Sequence, residues 1–244
     1  MTPTKTTTNN GRLGNQIFRN LAVSLLAEKH NLMVEYGNKD LIEKLGIVLF
    51  SGENNYRCCQ SLTDKNYFEI YNSEKIDFNV DPNQDYFSTK LISRFLYNYL
   101  HSERVKTNII QKNPYQERYN CNNDLFIHIR LTDVAHNNPG FEYYHNLIQT
   151  LPCENVIIAT DDKYHNIVLR LLQNCPNARI LDCDEITTFQ FGSTCKNIIL
   201  SHGSFSATLG YLSFYSTIYY PIYNKNKMWY GDMFSIKNWV QCAT

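Results

Sequence analysis

The segment HIRLTD at residues 128–133 carries the clearest candidate for an anion-binding side chain. It ends an apolar stretch that reads as a strand, and the alternation of that strand puts His128 and Arg130 on one face. An arginine holds two phosphate oxygens in a fixed fork and keeps its charge at any working pH. Asp133 can orient the guanidinium, although an isolated Arg–Asp pair at a strand end is explained equally well as structural.

Three other polar clusters have the same relation to apolar segments. The sequence GRLGNQ at 11–16 is a glycine-punctuated turn that opens an amphipathic helix, so it presents backbone N–H groups at a positive helix end. A plain helix start explains it as well. After a buried strand, Asp161 and Asp162 can bind ribose hydroxyls, orient the arginine or cap the next helix. The sequence SHGSFSA at 201–207 joins a strand to a helix, and its small hydroxyl residues can donate to phosphate.

The segments between these clusters predict an α/β protein, because helix-like and strand-like apolar patterns alternate. We predict helices at about 17–29, 40–46, 91–100, 141–151, 164–174 and 187–194, with a further helix after Ser206. We predict strands at about 32–36, 47–50, 125–130, 155–160, 178–182 and 197–201. In parallel sheets of this kind, binding sites lie beyond the carboxyl ends of the strands. We expect each of the four polar clusters to lie at such an end.

Composition excludes several classes of protein. The chain has 244 residues, 43% of them hydrophobic, and Lys plus Arg balances Asp plus Glu at 23 each. That balance gives no general attraction for nucleic acid or anionic membranes, and the apolar content argues against disorder. No stretch approaches the roughly 20 apolar residues of a membrane span, and the N-terminus lacks a signal-like apolar region. We therefore expect a soluble, cytoplasmic protein whose eight cysteines, which form no CxxC pair, stay reduced.

With these clusters in this order, the sequence resembles the fucosyltransferases that use GDP-fucose. The resemblance is to the α-1,2 type, which is glycosyltransferase family 11-like within the HxRRxD-motif superfamily, and more distantly to α-1,6 and protein O-fucosyltransferases. It rests on GRLGNQIF at 11–18, HIRLTD at 128–133, VIIATDD at 156–162 and NIILSHGSFSATLGYL at 197–212. These motifs extend over most of the chain, and together they are more specific than any of them alone.

The resemblance implies a GT-B-like architecture of two Rossmann-like lobes facing a central cleft. The N-terminal lobe, 1–115, would be the acceptor side, and the C-terminal lobe, 116–244, the nucleotide-sugar donor side. It also implies an inverting transfer of a sugar, L-fucose from GDP-fucose, to a hydroxyl of a glycan. No cofactor and no metal are implied beyond the nucleotide-sugar donor, so Asp161-Asp162 is not interpreted as a metal site. The oligomeric state is left open.

The resemblance further assigns roles to individual residues. Arg130 would bind the β-phosphate, His128 would lie near the nucleotide, and Asn15 would lie near the transferred sugar. The implied donor-binding residues are Gly14, Asn15, His128, Arg130, Asp161, Asp162, Gly203, Ser204, Phe205 and Ser206. The implied catalytic residues are Arg130, Asn15 and Asp133.

Two positions depart from the family pattern. Leu131 stands where the family has a second arginine, and Thr188 falls near the place of an aspartate that reads the nucleotide base. The carboxylates that can replace this aspartate are Asp182, Asp184 and Glu185. Another donor such as UDP-xylose therefore stays an alternative. The candidates for a general base are Asp133, Glu142 and Glu35.

Two readings from other functional classes remain. One is a non-catalytic module that binds a glycan or nucleotide, since a fold does not guarantee an activity. The other is an NAD-dependent oxidoreductase, which the sequence disfavours because no G-x-G-x-x-G follows a strand with an acidic residue about 20 positions later.

Overall fold

The computed structural model describes residues 3–6, 11–83, 85–133, 135–222 and 231–244. The chain divides into two compact units. We call Met1–Asn108 with Tyr230–Met233 the N-terminal unit, and Ile109–Trp229 with Phe234–Thr244 the C-terminal unit. Within the described ranges, no helix has the length and apolar character that crossing a membrane requires.

The N-terminal unit is built on two parallel strand pairs. Its elements are β1 (Thr4–Lys5), α1 (Leu13–His30), β2 (Val34–Glu35), α2 (Lys39–Glu43), β3 (Cys58–Ser61), α3 (Tyr67–Asn72), β4 (Phe78–Asp81) and α4 (Lys90–Leu100), and α5 (Glu103–Lys112) crosses the division. Strand β1 pairs with β2 and β3 pairs with β4, both in parallel. The backbone N–H of Val80 donates to the Thr4 hydroxyl at 3.0 Å, which brings β4 against β1.

The predicted strand at 47–50 is wrong. Ile47 and Leu49 are buried and Val48 is exposed, so the segment has the alternation of a strand, but it forms no ladder with another strand. Its backbone is bound by side chains instead: the N–H of Phe50 donates to the Ser24 hydroxyl at 2.8 Å. Alternating burial thus occurs here in a segment whose backbone binds a side chain of α1, and a periodicity argument cannot distinguish this from strand pairing.

The C-terminal unit is a six-stranded parallel sheet with helices between the strands. Its elements are β5 (Leu125–Ile129), α6 (Phe141–Thr150), β6 (Val156–Thr160), α7 (Asn166–Asn174), β7 (Ala178–Ile180), α8 (Glu185–Gly192), β8 (Asn197–Ile199), α9 (Ser204–Tyr211), β9 (Thr217–Pro221) and β10 (Val240–Cys242). The strand order is β10-β9-β8-β5-β6-β7. Numbered from β5, this is the 3-2-1-4-5-6 order of doubly wound nucleotide-binding sheets, in which the order reverses between the first and fourth strands.

Strand β5 shows why helices cover both faces of this sheet. All five of its residues are buried, as expected of a central parallel strand. Leu125, Ile127 and Ile129 pack into a core with apolar residues of α6 and α7. On the other face, Phe126 lies against Gly192 at the end of α8. The α/β class and the strand–helix alternation predicted for residues 125–201 are therefore confirmed.

A carboxyl group at the strand ends of the N-terminal unit is held in an unfavourable charge environment. The backbone N–H of Asp64 donates to Asp85 Oδ2 at 2.8 Å, and Asp64 Oδ1 is buried with no hydrogen-bond partner among the described residues. Burial, together with the negative charge of Asp85, raises the pKa of Asp64 to about 6, although the backbone of Phe87 counteracts this. The buried Arg19 binds the backbone oxygen of Asp85 at 3.2 Å.

We predict that Asp64→Asn stabilises the protein at neutral pH. Because the pKa of Asp64 is raised on folding, the folded state binds more protons than the unfolded state between about pH 4 and 6, so its stability falls as the pH rises through that range. Thermal melts should show a higher Tm for the variant at pH 7.5 and no difference at pH 3.5. Asp77→Asn, at an exposed aspartate, is the control. A variant that melts below the wild type at pH 7.5 contradicts the prediction.

Candidate anion site at the strand-order reversal

Three of the predicted clusters meet at one edge of the C-terminal sheet. Strand β5 lies between β8 and β6, and Ile129 is in register with Thr160. The residues that follow these strands are therefore neighbours: the N–H of Arg130 donates to the Ser201 hydroxyl at 3.1 Å, and the N–H of Leu131 donates to Asp161 Oδ1 at 2.7 Å. The strand order reverses between β5 and β8, which is where sheets of this class bind ligands.

Arg130 lies between two carboxylates. Its Nη1 is 2.6 Å from Asp161 Oδ2, and its Nη2 is 2.5 Å from Asp133 Oδ1. The side chain of Arg130 is 17% exposed, so it reaches the surface at the strand edge and is not sealed in the core. A turn residue that the sequence analysis missed fixes its backbone, because Asn138 Nδ2 donates to the Arg130 carbonyl at 3.0 Å.

Asp161 is the fixed member of this group. Besides Arg130, it accepts from the N–H of Leu131 and, at 2.6 Å, from the Thr132 hydroxyl. Burial raises the pKa of Asp161, but these hydrogen bonds and the charge of Arg130 outweigh burial, and the net pKa lies below the usual range. Of the roles considered for this aspartate, the structure shows that of orienting the guanidinium.

Asp162 and helix α7 are arranged differently from the predicted capping. Asp162 Oδ1 accepts from the backbone N–H of Tyr164 at 3.1 Å within the turn. Helix α7 is capped by His165, whose Nδ1 accepts from the N–H of Ile167 at 3.2 Å. The two adjacent aspartates therefore have different partners: Asp161 binds Arg130, and Asp162 binds the backbone of its own turn. Neither of them caps α7.

His128 is a buried, neutral residue that links β5 to α9. Its Nδ1 lies 2.6 Å from the Ser206 hydroxyl, which in turn lies 3.3 Å from the Ser201 hydroxyl. Its ring stacks on Phe205, with the centroids 4.7 Å apart, and Phe205 stacks on Phe189 of α8. Burial lowers the pKa of His128 to about 4, the Asp161 charge opposes this shift, and the Arg130 charge adds to it.

Helix α9 begins after a glycine in the left-handed region. Gly203 is the N-cap with a φ of 102°, a value that favours glycine, and as a glycine it has no side chain to accept from the first N–H groups of the helix. A Cβ built on Gly203 would meet nothing within 4 Å. Ser206 is fully buried, whereas Ser204 and Phe205 are partly exposed. The first N–H groups of an α-helix have no intrahelical acceptor and favour anions.

The other predicted site residues lie in the N-terminal unit. Helix α1 begins at Leu13, so Gly14 and Asn15 are in its first turn. The turn is closed by Gln16, whose Nε2 donates to the Gly11 carbonyl at 2.9 Å, and Gly11 has a φ of 82°. This agrees with the helix-start interpretation of the motif and leaves its proposed sugar contact untested.

The three predicted general-base candidates are all ion-paired. Asp133 pairs with Arg130, Glu35 lies 2.6 Å from Lys5 Nζ, and Glu142 lies 3.7 Å from an Arg170 nitrogen. None of these pairings distinguishes one carboxylate as a base.

The two departures from the fucosyltransferase pattern have structural causes. Leu131 continues the alternation of β5, is 1% exposed and packs in the α6–α7 core. Thr188 is buried on α8, and its hydroxyl donates to the Asp184 carbonyl at 2.8 Å. Of the suggested replacements, Asp184 caps α8 by accepting from the N–H of Thr187, and Asp182 pairs with Lys163 at 2.8 Å.

The described residues contain no candidate metal site and no disulfide. Across the described residues, no group of three or more His, Cys, Asp or Glu side chains could hold a metal ion. All eight cysteines are free thiols.

No protein-family model matches the sequence. No curated protein matches it either. Among solved structures, the chain is similar to the E. coli heptosyltransferase WaaC with ADP-2-deoxy-2-fluoro heptose, with 10% identity, a TM-score of 0.49, and coverage of 95% of this chain and 90% of that chain.

We predict that Leu131→Arg, which restores the second arginine of the family motif, destabilises the protein. The side chain at 131 faces the core, and an unpaired buried charge costs about 3 kcal/mol or more. Leu131→Met, which conserves volume, should cost less than about 1.5 kcal/mol. Urea unfolding of the two variants measures this difference. Wild-type stability in Leu131→Arg would show that position 131 can face solvent.

We also predict that His128 stays neutral at all pH values above about 5. An NMR titration of the histidine rings should show two resonances with midpoints near 4, those of His128 and His202, and His128→Gln should lack the first of these. A midpoint near 6.5, the ordinary value for histidine, would show that the ring is solvated.

Proposed function

We propose that the chain is a glycosyltransferase that takes its sugar from a nucleoside diphosphate donor. The observation that carries the proposal is the convergence of three motif loops at the strand-order reversal, where the backbone of Arg130 binds Ser201, two residues before the N-cap glycine of α9. Both elements are suited to phosphate, one by a charged fork and one by backbone N–H groups.

These groups suit the chemistry of sugar transfer. When the bond from the sugar to the diphosphate breaks, negative charge builds on the departing phosphate oxygens. A fixed guanidinium and oriented N–H groups stabilise that charge without reorganising, which lowers the barrier. In this proposal Arg130 binds the β-phosphate, and the backbone of 203–206 binds the phosphates alongside it. The buried His128 and Ser206 hold β5 against α9, so they keep these two elements aligned.

The finer assignment follows the sequence resemblance. We favour GDP-fucose as the donor, a glycan hydroxyl as the acceptor, and an inverting, metal-independent transfer. A GT-B-like architecture, with residues 1–115 on the acceptor side and 116–244 on the donor side, belongs to the same proposal. So do a contact of Gly14 and Asn15 with the transferred sugar and a contact of Asp162 with the donor.

A different nucleotide sugar, such as UDP-xylose, is the second candidate donor. The surroundings of position 131 and of two carboxylates near α8 favour it. Position 131 faces the core, so it cannot offer the second cation of the family motif. Asp182 and Asp184 already bind Lys163 and the α8 backbone. Two of the three candidates for the purine-reading carboxylate of the family therefore have other contacts, and Glu185, the first residue of α8, is the third.

Ligand binding decides between these donors. A thermal-shift panel of GDP, UDP, GDP-fucose and UDP-xylose should raise the Tm with GDP and GDP-fucose, because a ligand that binds only the folded state stabilises it. Stabilisation by the uridine ligands alone would replace fucose with another sugar. Stabilisation by none of the four would overturn the proposal. Binding without hydrolysis or transfer, tested on a panel of glycan acceptors, would indicate a non-catalytic module.

We predict that Arg130→Ala lowers kcat/KM for donor turnover by about 100-fold or more, because a charge-assisted contact to the leaving group is worth a few kcal/mol in the transition state. Arg130→Lys should recover part of the rate, since it keeps the charge but loses the fork. Arg179→Ala, at an exposed arginine on β7, is the matched control. The release of nucleoside diphosphate measures turnover, and circular dichroism checks the fold. Turnover by Arg130→Ala at the rate of the control would refute the role of Arg130.

A further inference from the structure

The two carboxylates that bind Arg130 differ in how firmly they are held. Asp161 is 19% exposed, and the Leu131 N–H and the Thr132 hydroxyl hold it in place. Asp133 is 55% exposed and lies three residues after Arg130 on the same turn. An exposed ion pair is weakened by solvent screening, so its separation costs little. Asp161 is therefore the permanent partner of the guanidinium, and Asp133 is exchangeable.

The atoms that Asp133 binds are those that a phosphate needs. A guanidinium offers two oxygens a parallel pair of donors along its Nε–Nη2 edge. Nη2 of Arg130 is bound to Asp133, and Nε has no hydrogen-bond partner among the described residues. A phosphoryl group that used this edge would compete with Asp133 for Nη2, whereas the Asp161 contact at Nη1 would stay intact.

The summed charge of Arg130, Asp133 and Asp161 also favours displacement of Asp133 by a phosphate. Two ionised carboxylates and one guanidinium sum to one negative charge, which opposes an incoming diphosphate. When Asp133 moves from Nη2 into solvent, Arg130 and Asp161 form a neutral pair at the same sheet edge as the loop that leads into the positive end of α9. The diphosphate can then bind the Nε–Nη2 edge of Arg130 without a carboxylate on the same nitrogen.

We propose that Asp133 is an internal competitor for the phosphate edge of Arg130, and that a bound diphosphate displaces it. This inference rests on the proposed function and deepens it. Asp133 weakens the binding of any phosphate at Nη2, including that of the nucleoside diphosphate product, and so promotes product release. Asp161 acts as a positioning residue that keeps the guanidinium in place during the exchange. This role for Asp133 differs from that of a general base.

Isothermal titration with inorganic pyrophosphate and with GDP and UDP tests the proposal. The proteins are the wild type, Asp133→Asn, Asp133→Ala and the control Glu154→Gln, which removes one exposed negative charge beyond the opposite ends of the strands. At low salt, both Asp133 variants should bind pyrophosphate about three- to tenfold more tightly than the wild type, the size expected of one nearby charge in a solvated site. The gain should shrink at high salt, and the control should match the wild type.

The other outcomes distinguish failure of the competitor role from failure of the proposed function. If the wild type binds one of these ligands and both Asp133 variants bind it equally or more weakly, the competitor role is wrong and the proposed function stands. If Glu154→Gln shows the same gain, the effect is one of overall charge, and the inference also fails. If neither the wild type nor any variant binds pyrophosphate, GDP or UDP, the proposed function itself fails. Melting temperatures establish that every variant is folded.

Discussion

The loops that follow β5 and β6 depend on the guanidinium of Arg130, which is held at the end of the buried strand β5. A guanidinium at such a place needs compensating charge, and Asp161 supplies it from the neighbouring strand end. That carboxylate also binds the backbone of Leu131 and the hydroxyl of Thr132, so the charge of Arg130 and the path of its loop are fixed together. The neutral His128 lies behind them and adds no opposing charge.

The sequence predicts much of this arrangement because central parallel strands have a strong signature. The segments of β5, β6 and β8 are mostly apolar, and polar residues follow each of them within two positions. Since the carboxyl ends of parallel strands share one edge, the clusters had to lie near one another if the strands were adjacent. Adjacency itself was not in the sequence: it depends on the pairing of β5 with both β6 and β8.

The short strands of the N-terminal unit and the contacts between distant residues could not be predicted from sequence patterns. Strand β3 consists of four exposed residues with no apolar pattern, and β1 and β2 have two residues each. The pairing of Arg130 with Asp161 joins residues far apart in the chain, so only the fold reveals it. Asn138 had a readable turn signature in Asn-Pro-Gly, but its contact with the Arg130 carbonyl did not follow from that signature. The raised pKa of Asp64 likewise depends on the fold, first through burial and then through the charge of Asp85 from another loop.

The helices of the C-terminal unit leave the sheet on opposite faces on either side of the strand-order reversal. Helices α6 and α7 pack against one face of β5, and α8 and α9 pack against the other. The place of the candidate site, at the ends of β5 and β8, is therefore a product of chain topology. Its bordering loops can change length or sequence while the packed sheet beneath them stays the same. Such a scaffold can acquire a new ligand preference through one loop at a time, with each intermediate still folded.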